Sequence, residues 1–307
     1  MSDVALTVVL NAMGRLELAD LGFRSWMLQK WDQPYEVVLS LFNDQQARYE
    51  ALTQGKNPNC RVTIRSYDRP AFFNISAANN LGLHFASGDY VMFANSDVVY
   101  PSSYGQRFIN NMLRHRCGCA VGSRYNLNSE QTTALKSAAE YTHENNFDFL
   151  DAQWSYVGGP PIWYTCGPWV IRRDVARAIG CFDPAVLVSE DDDLTSRAVH
   201  YLAKQGEQDS NMCFLQMMGF HLYHSGSELF DAHHLAHQII DPRRDRMRAK
   251  FDSREETIPN RLDDLNWLVQ QVRETKKPSP LAKYRQNTFR KISGRITAAA
   301  KILIARR

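Results

Sequence analysis

Three short stretches of this chain hold residue types that can do chemistry. In FANSDVVYP (93–101) an apolar run is broken by Asn95, Ser96 and Asp97. On a strand, Asn95 and Asp97 would share one side. A carboxylate there can hold a hard divalent cation. The same triplet can also be an Asx-turn closing the strand. In SEDDDL (189–194), Ser189 can cap a helix, and Glu190, Asp191 and Asp192 suit its positive first turn. Like charges this dense raise one another's pKa, which suits a general base. In FHLYH, His221 and His224 are three apart. On a strand they would face opposite sides, and on a turn or helix they would share one; either could ligate a metal or be an ordinary satisfied histidine. His233, His234 and His237 read as a solvated helix face.

The elements that must position these residues alternate in type. ALTVVLN (5–11), YEVVLSLFND (35–44), CRVTIRSY (60–67) and DYVMFANSDVVYP (89–101) read as four strands, the first a continuous apolar run. Between them, 18–30 carries Leu18, Leu21, Phe23, Trp26 and Met27 at helical spacing, and 72–88 is a helix ending in glycine. Strand–helix alternation argues for an α/β layer fold with a largely parallel central sheet flanked by helices. Ligands of such sheets sit at the carboxyl ends of the strands, where Asn43, Asp44, Asn95 and Asp97 fall. Further on, 123–165 mixes a helix with aromatic Gly-Pro loops, 169–184 gives a short strand, a helix and a turn, and 217–228 a late strand and loop.

Composition sets the outer bounds. The chain has 307 residues, 44% of them hydrophobic, enough for a sizeable core. No apolar run approaches the ~20 residues of a membrane-spanning helix. MSDVALTVVLN lacks a basic leader region and reads as a buried strand. None of the six cysteines forms a CxxC pair, so all six are expected to be free thiols in a reducing compartment. Ten Lys or Arg and no acid lie between Lys276 and Arg307; with a net charge of +3 overall, the rest of the chain carries −7. That basic tail has helical apolar spacing and suits an anionic membrane surface. Nucleic acid is not expected, because the body is acidic and the tail's aromatics are only Tyr284 and Phe289.

The order of the three stretches resembles the GT-A fold glycosyltransferases, above all family 2 and the related β-1,4-galactosyltransferase type. In the first block Phe73, Asn74, Asn80, Gly82, Ala86, Gly88, Asp89, Tyr90, Phe93, Asp97 and Pro101 match the family pattern. In the second, Arg173, Gly180, Phe182, Asp183, Glu190, Asp191, Asp193, Leu194 and Arg197 match. The resemblance covers about residues 4–230. It departs in two places: the DxD motif is NSD, and the acids after the second strand are SLFND.

The resemblance implies a Rossmann-like GT-A domain over 1–240, with a nucleotide-sugar half at about 1–101 and an acceptor and catalytic half at 102–240. A helical basic extension follows at 241–307. It implies Asp97 as a ligand of Mn2+ or Mg2+, completed by His224 or His221. Asp44, Asn74, Asn80, Asn95, Ser96 and Asp97 would contact the nucleotide-sugar. Asp191 would be the base, with Glu190 beside it, and Trp163, Trp169 and Asp192 would meet the acceptor. The expected activity is inverting transfer from a UDP-sugar to a hydroxyl of a glycan or lipid-linked acceptor, in surface polysaccharide or lipopolysaccharide synthesis. The expected location is cytoplasmic, peripheral on the inner membrane face. A non-catalytic GT-A scaffold that binds a glycan or nucleotide is the alternative. A nucleotidyltransferase is disfavoured, because NAMGRLELAD after the first strand has a single glycine.

Overall fold

The computed structural model describes residues 3–42, 44–68, 74–141, 167–184, 186, 190–205, 211–224 and 262–273. In chain order these form β1 (Leu6–Ala12), α1 (Leu16–Met27), β2 (Tyr35–Leu41), α2 (Gln46–Leu52), β3 (Cys60–Ser66), α3 (Ile75–Phe85), β4 (Tyr90–Phe93), β5 (Val98–Val99), α4 (Tyr104–Arg114), β6 (Cys117–Asn126), α5 (Ser129–Tyr141), β7 (Trp169–Arg172), α6 (Arg173–Ala178), α7 (Glu190–Gln205), β8 (Asn211–His221) and α8 (Leu265–Arg273). The strands make one mixed sheet in the order β3-β2-β1-β4-β7-β6-β8-β5. The α/β expectation holds.

The sheet has two characters. β3, β2, β1 and β4 pair in parallel. Every residue of β1 and β2 is buried, as continuous apolar runs between helix layers require. Each Val or Leu so buried stabilises by roughly 1.5–3 kcal/mol. Beyond β4 the pairing is mixed: β7 runs antiparallel to β4 and β6, while β6 and β8 are parallel. β5 closes the far edge, antiparallel to β8.

Two expectations need correction, on 89–101 and on the cysteines, and two features add to the reading. The stretch 89–101 is two strands and not one: the turn at Asn95–Asp97 ends β4, and Val98–Val99 leaves to pair with β8. The unassigned 102–122 holds α4 and most of β6. Cys117 and Cys213 form a disulfide with Cα atoms 5.9 Å apart, because the β6–β8 register brings the two strands side by side there. Cys60, Cys119 and Cys181 remain free and buried, so an all-thiol chain no longer supports a reducing compartment. Finally, 262–273 lies beyond the boundary drawn at 240, yet Leu262, Leu268 and Val272 join the core cluster of Ala77, Leu81 and Val175. The rest of the basic tail, with Tyr284 and Phe289, lies outside the described residues.

Two close approaches fix the working end. A Cβ on Gly22 would overlap the Ser96 carbonyl, so glycine there lets α1 lie directly against the Asn95–Asp97 turn. Leu18, Leu21, Phe23, Trp26 and Met27, the predicted face of α1, are all buried. Among the described residues no helix is long and apolar enough to cross a membrane.

Candidate active site

The carboxyl end of β4 is where the site assembles. The antiparallel register sets Val98 opposite His221, and the Leu222 N–H donates to the Asp97 carbonyl at 2.9 Å. β8 ends at His221, and the chain turns away over Leu222–His224. Both histidines converge on Asp97 there. The Nε2 atoms of His221 and His224 each lie 3.5 Å from Asp97 Oδ2. One ligand atom from each of the three residues falls within 4.8 Å of the others. Burial alone would push the Asp97 pKa up, but the His221 and His224 rings beside it overturn that and hold its carboxyl well below the usual range.

A carboxylate oxygen with two imidazole nitrogens is a borderline donor set. It suits Mn2+ better than Mg2+, which favours an all-oxygen shell. The residues present therefore fit a divalent transition metal.

Arg15 was not expected here. It stands at the carboxyl end of β1, capping α1 in the left-handed region at φ 53. Its Nη1 donates to Asp97 Oδ2 at 3.0 Å and lies 2.8 Å from His224 Nε2. The signal in the sequence is thin: one arginine directly after Gly14, in the loop beside the NSD turn.

The acidic stretch is the start of α7. Asp193 points inward, with no exposed side-chain surface, and pairs with Arg197 at 2.5 Å. The same arginine donates to the carbonyls of Ile179 and Cys181. Gly180 and Cys181 both have positive φ, 75° and 50°. Glu190 and Asp191 are half-buried, and the side chain of Asp192, like Ser189, lies outside the described residues.

Two of the expected nucleotide contacts turn out to be clamps on this turn. Asn80 is fully buried; its amide donates to the Phe182 carbonyl at 2.8 Å, and its oxygen accepts from the Phe182 N–H at 3.1 Å. Asn74 caps α3 by accepting from the Ala77 N–H and donates to the Pro184 carbonyl at 2.9 Å. Both amides thus bond backbone at each end. Asn95 is exposed and Ser96 half-buried, on the turn itself. Asp44 is exposed at the end of β2; a hydrogen bond from Gln45 lowers its pKa. Asn43 and Phe73 lie outside the described residues. Trp169, expected at the acceptor, sits in β7 at 7% exposure, packed in the core. A strand tryptophan and a binding-wall tryptophan look alike in sequence. Trp163, with Trp154, Tyr156 and Tyr164, lies outside the described residues, as do His233, His234 and His237.

Comparisons with known proteins agree with this layout. Residues 33–180 match the family described as Glycosyl transferase family 2. A mannosyltransferase, PcManGT from Pyrobaculum calidifontis, solved with GDP-Man and Mn2+, superposes with a TM-score of 0.51 at 14% identity, over 95% of this chain and 84% of that one. S. aureus TarS is similar at a TM-score of 0.48 and 15% identity, over 72% of this chain. TarS 1-349 in complex with UDP gives 0.49 and 14%. The chain spans 37% of the former and 61% of the latter. No curated protein sequence matches the chain. The mixed sheet and the turn at the end of β4 give the chain a fold similar to the GT-A glycosyltransferases, and its segment 33–180 is similar to Glycosyl transferase family 2.

Proposed function

We propose that the chain transfers a sugar, with inversion, from a nucleoside-diphosphate sugar to a hydroxyl group of a glycan or lipid-linked acceptor. The convergence of Asp97, His221 and His224 at the carboxyl end of β4 carries this reading. Those three residues would hold Mn2+ or, less well, Mg2+. Bound there, the ion would act as a Lewis acid on the donor's diphosphate. Asn95 and Ser96, on the exposed turn, are placed to meet the sugar or ribose, and Asp44 the nucleoside.

Asp191 supplies the base. It takes the proton of the acceptor hydroxyl as that oxygen forms its bond to the anomeric carbon. The bond from that carbon to the diphosphate oxygen breaks on the opposite face, and the diphosphate leaves with the electron pair. A single displacement inverts the centre. Glu190 and Asp192, its neighbours in sequence, would help to hold the acceptor. The Arg197, Asn74 and Asn80 clamps hold the 179–184 turn, and Arg197 ties it to α7.

A UDP-sugar is the donor class proposed; TarS 1-349 has been solved with UDP-GlcNAc and PcManGT with GDP-Man, so both bases belong in the test. The basic tail would hold the enzyme on the inner membrane face, near a lipid-linked acceptor of surface polysaccharide synthesis. Thermal shifts with UDP, GDP, dTDP and CMP, each with and without Mn2+, test the reading on wild type and Asp97→Ala. A ligand at about 100 times its Kd stabilises by ~2.7 kcal/mol. One nucleotide should shift the wild type with metal and leave Asp97→Ala unmoved. No shift in any arm would bring forward the non-catalytic scaffold.

A further inference from the structure

Arg15 is the charged group of the site to which the proposed mechanism gives no task. Its backbone is left-handed at φ 53 and ψ 48, uncommon for a residue with a side chain. Backbone strain of this kind clusters where a side chain must be held for function. What it holds is specific. Nη1 sits 3.0 Å from Asp97 Oδ2 and 2.8 Å from His224 Nε2. A guanidinium has donors only and keeps its charge, so His224 must offer it the Nε2 lone pair. That oxygen and that nitrogen are two of the atoms the Asp97–His221–His224 cluster would give a metal. One lone pair cannot serve both.

We infer that Arg15 is a resident cation of the site: it holds Asp97 and His224 when no metal is bound, and on metal entry it moves to the diphosphate of the donor. The inference rests on the metal reading above and deepens it. Metal alone must displace a positive group and then sit beside it, which weakens binding. A diphosphate changes the balance, because it gives the displaced guanidinium a bidentate anionic partner. At 33% exposure the Arg15 side chain is not sealed in and can swing. Metal and nucleotide then bind cooperatively, each aiding the other by the same factor. After the move Arg15 adds a second positive charge to the leaving group, a charge that NSD, one carboxylate short of DxD, leaves room for.

Calorimetric titrations on the full chain, stripped of metal, test this. Mn2+ alone goes into wild type, Arg15→Gly, Arg15→Gln and Asp97→Asn. UDP and GDP then go into the Mn2+-saturated proteins. Arg15→Gly suits the left-handed backbone, so it guards against a folding artefact. Both Arg15 variants should bind Mn2+ alone roughly tenfold more tightly than wild type, and the nucleotide that wild type binds roughly tenfold more weakly, within the usual range for coupled sites. Unchanged or weaker Mn2+ affinity in both variants overturns the inference, as does an unchanged nucleotide affinity. Asp97→Asn separates the two readings. If it loses Mn2+ while the Arg15 variants behave as wild type, the metal site stands and the inference falls alone. If it binds Mn2+ like wild type, the metal reading fails and takes the inference with it.

Discussion

Two carboxylate–guanidinium pairs sit in this molecule and serve opposite ends. Asp193–Arg197 is sealed, with side chains 0% and 11% exposed, and Arg197 spends further donors on the carbonyls of Ile179 and Cys181. Asp97–Arg15 is open, at 20% and 33%, and shares its oxygen with two histidines that could hold something else. The first pair is closed off from solvent and held on the turn. The second is made of groups with competing uses. Chemistry of the pair alone does not tell a clamp from a site; burial and the neighbours do.

The sharpest way to break that contrast is to cut the sealed pair. Arg197→Ala strands a buried Asp193 carboxylate and frees two turn carbonyls, so a loss of about 3–5 kcal/mol is expected. Urea unfolding checks it; a loss under ~1 kcal/mol would mean the pair is no clamp. Asn80→Ala comes next. It leaves the buried N–H and C=O of Phe182 without their partner, for about 2 kcal/mol. Here turnover should fall with stability, because the released turn leads into α7 and Asp191. Stability lost with full activity would show that the turn does not position the base.

How much of this could be read beforehand follows the same division. β1 and β2 were legible because strands buried on both faces write themselves as unbroken apolar runs, and α1 because its buried face repeats at helical spacing. β6 was not: CGCAVGSRYN mixes glycine, cysteine and polar residues, and its buried half is settled by neighbours from β7 and β8. Asp97, His221 and His224 were legible as residue types, but their meeting depends on a two-residue strand, β5, crossing to β8. Asn74 and Asn80 were legible as important but their backbone bonds were not, since an amide that clamps backbone and one that reads a nucleotide are the same side chain. Arg15 reaches across 82 residues to Asp97 and 209 to His224, and no local pattern reports such a contact.

The open pair also makes a pH prediction. The folded-state pKa of Asp97 is depressed, so its stabilising effect is complete above its ordinary value of 3.8 and is lost as pH falls from there toward the lower folded value. Wild type should therefore lose Tm faster than Asp97→Asn between about pH 4 and pH 2, where unpaired carboxylates of ordinary pKa have begun to protonate. Parallel curves would mean that the histidines and Arg15 do not hold the carboxylate as drawn.

The smallest expected effect is the most telling. Arg15→Gly removes an ion pair of the same chemical kind as Asp193–Arg197, yet two small terms oppose each other. Losing a half-exposed pair costs about 0–1 kcal/mol. Glycine relieves a left-handed backbone that L side chains adopt at a cost of roughly 1–2 kcal/mol, and gives part of that back through a more flexible unfolded chain. The net change should stay within about 1 kcal/mol in either direction by urea unfolding. A loss above ~2 kcal/mol would make Arg15 a second clamp, fixed in place like Arg197, and a group that cannot leave Asp97 cannot trade places with a metal. A near-zero change with altered Mn2+ affinity would mean that the residue is spent on ligand exchange and not on the fold.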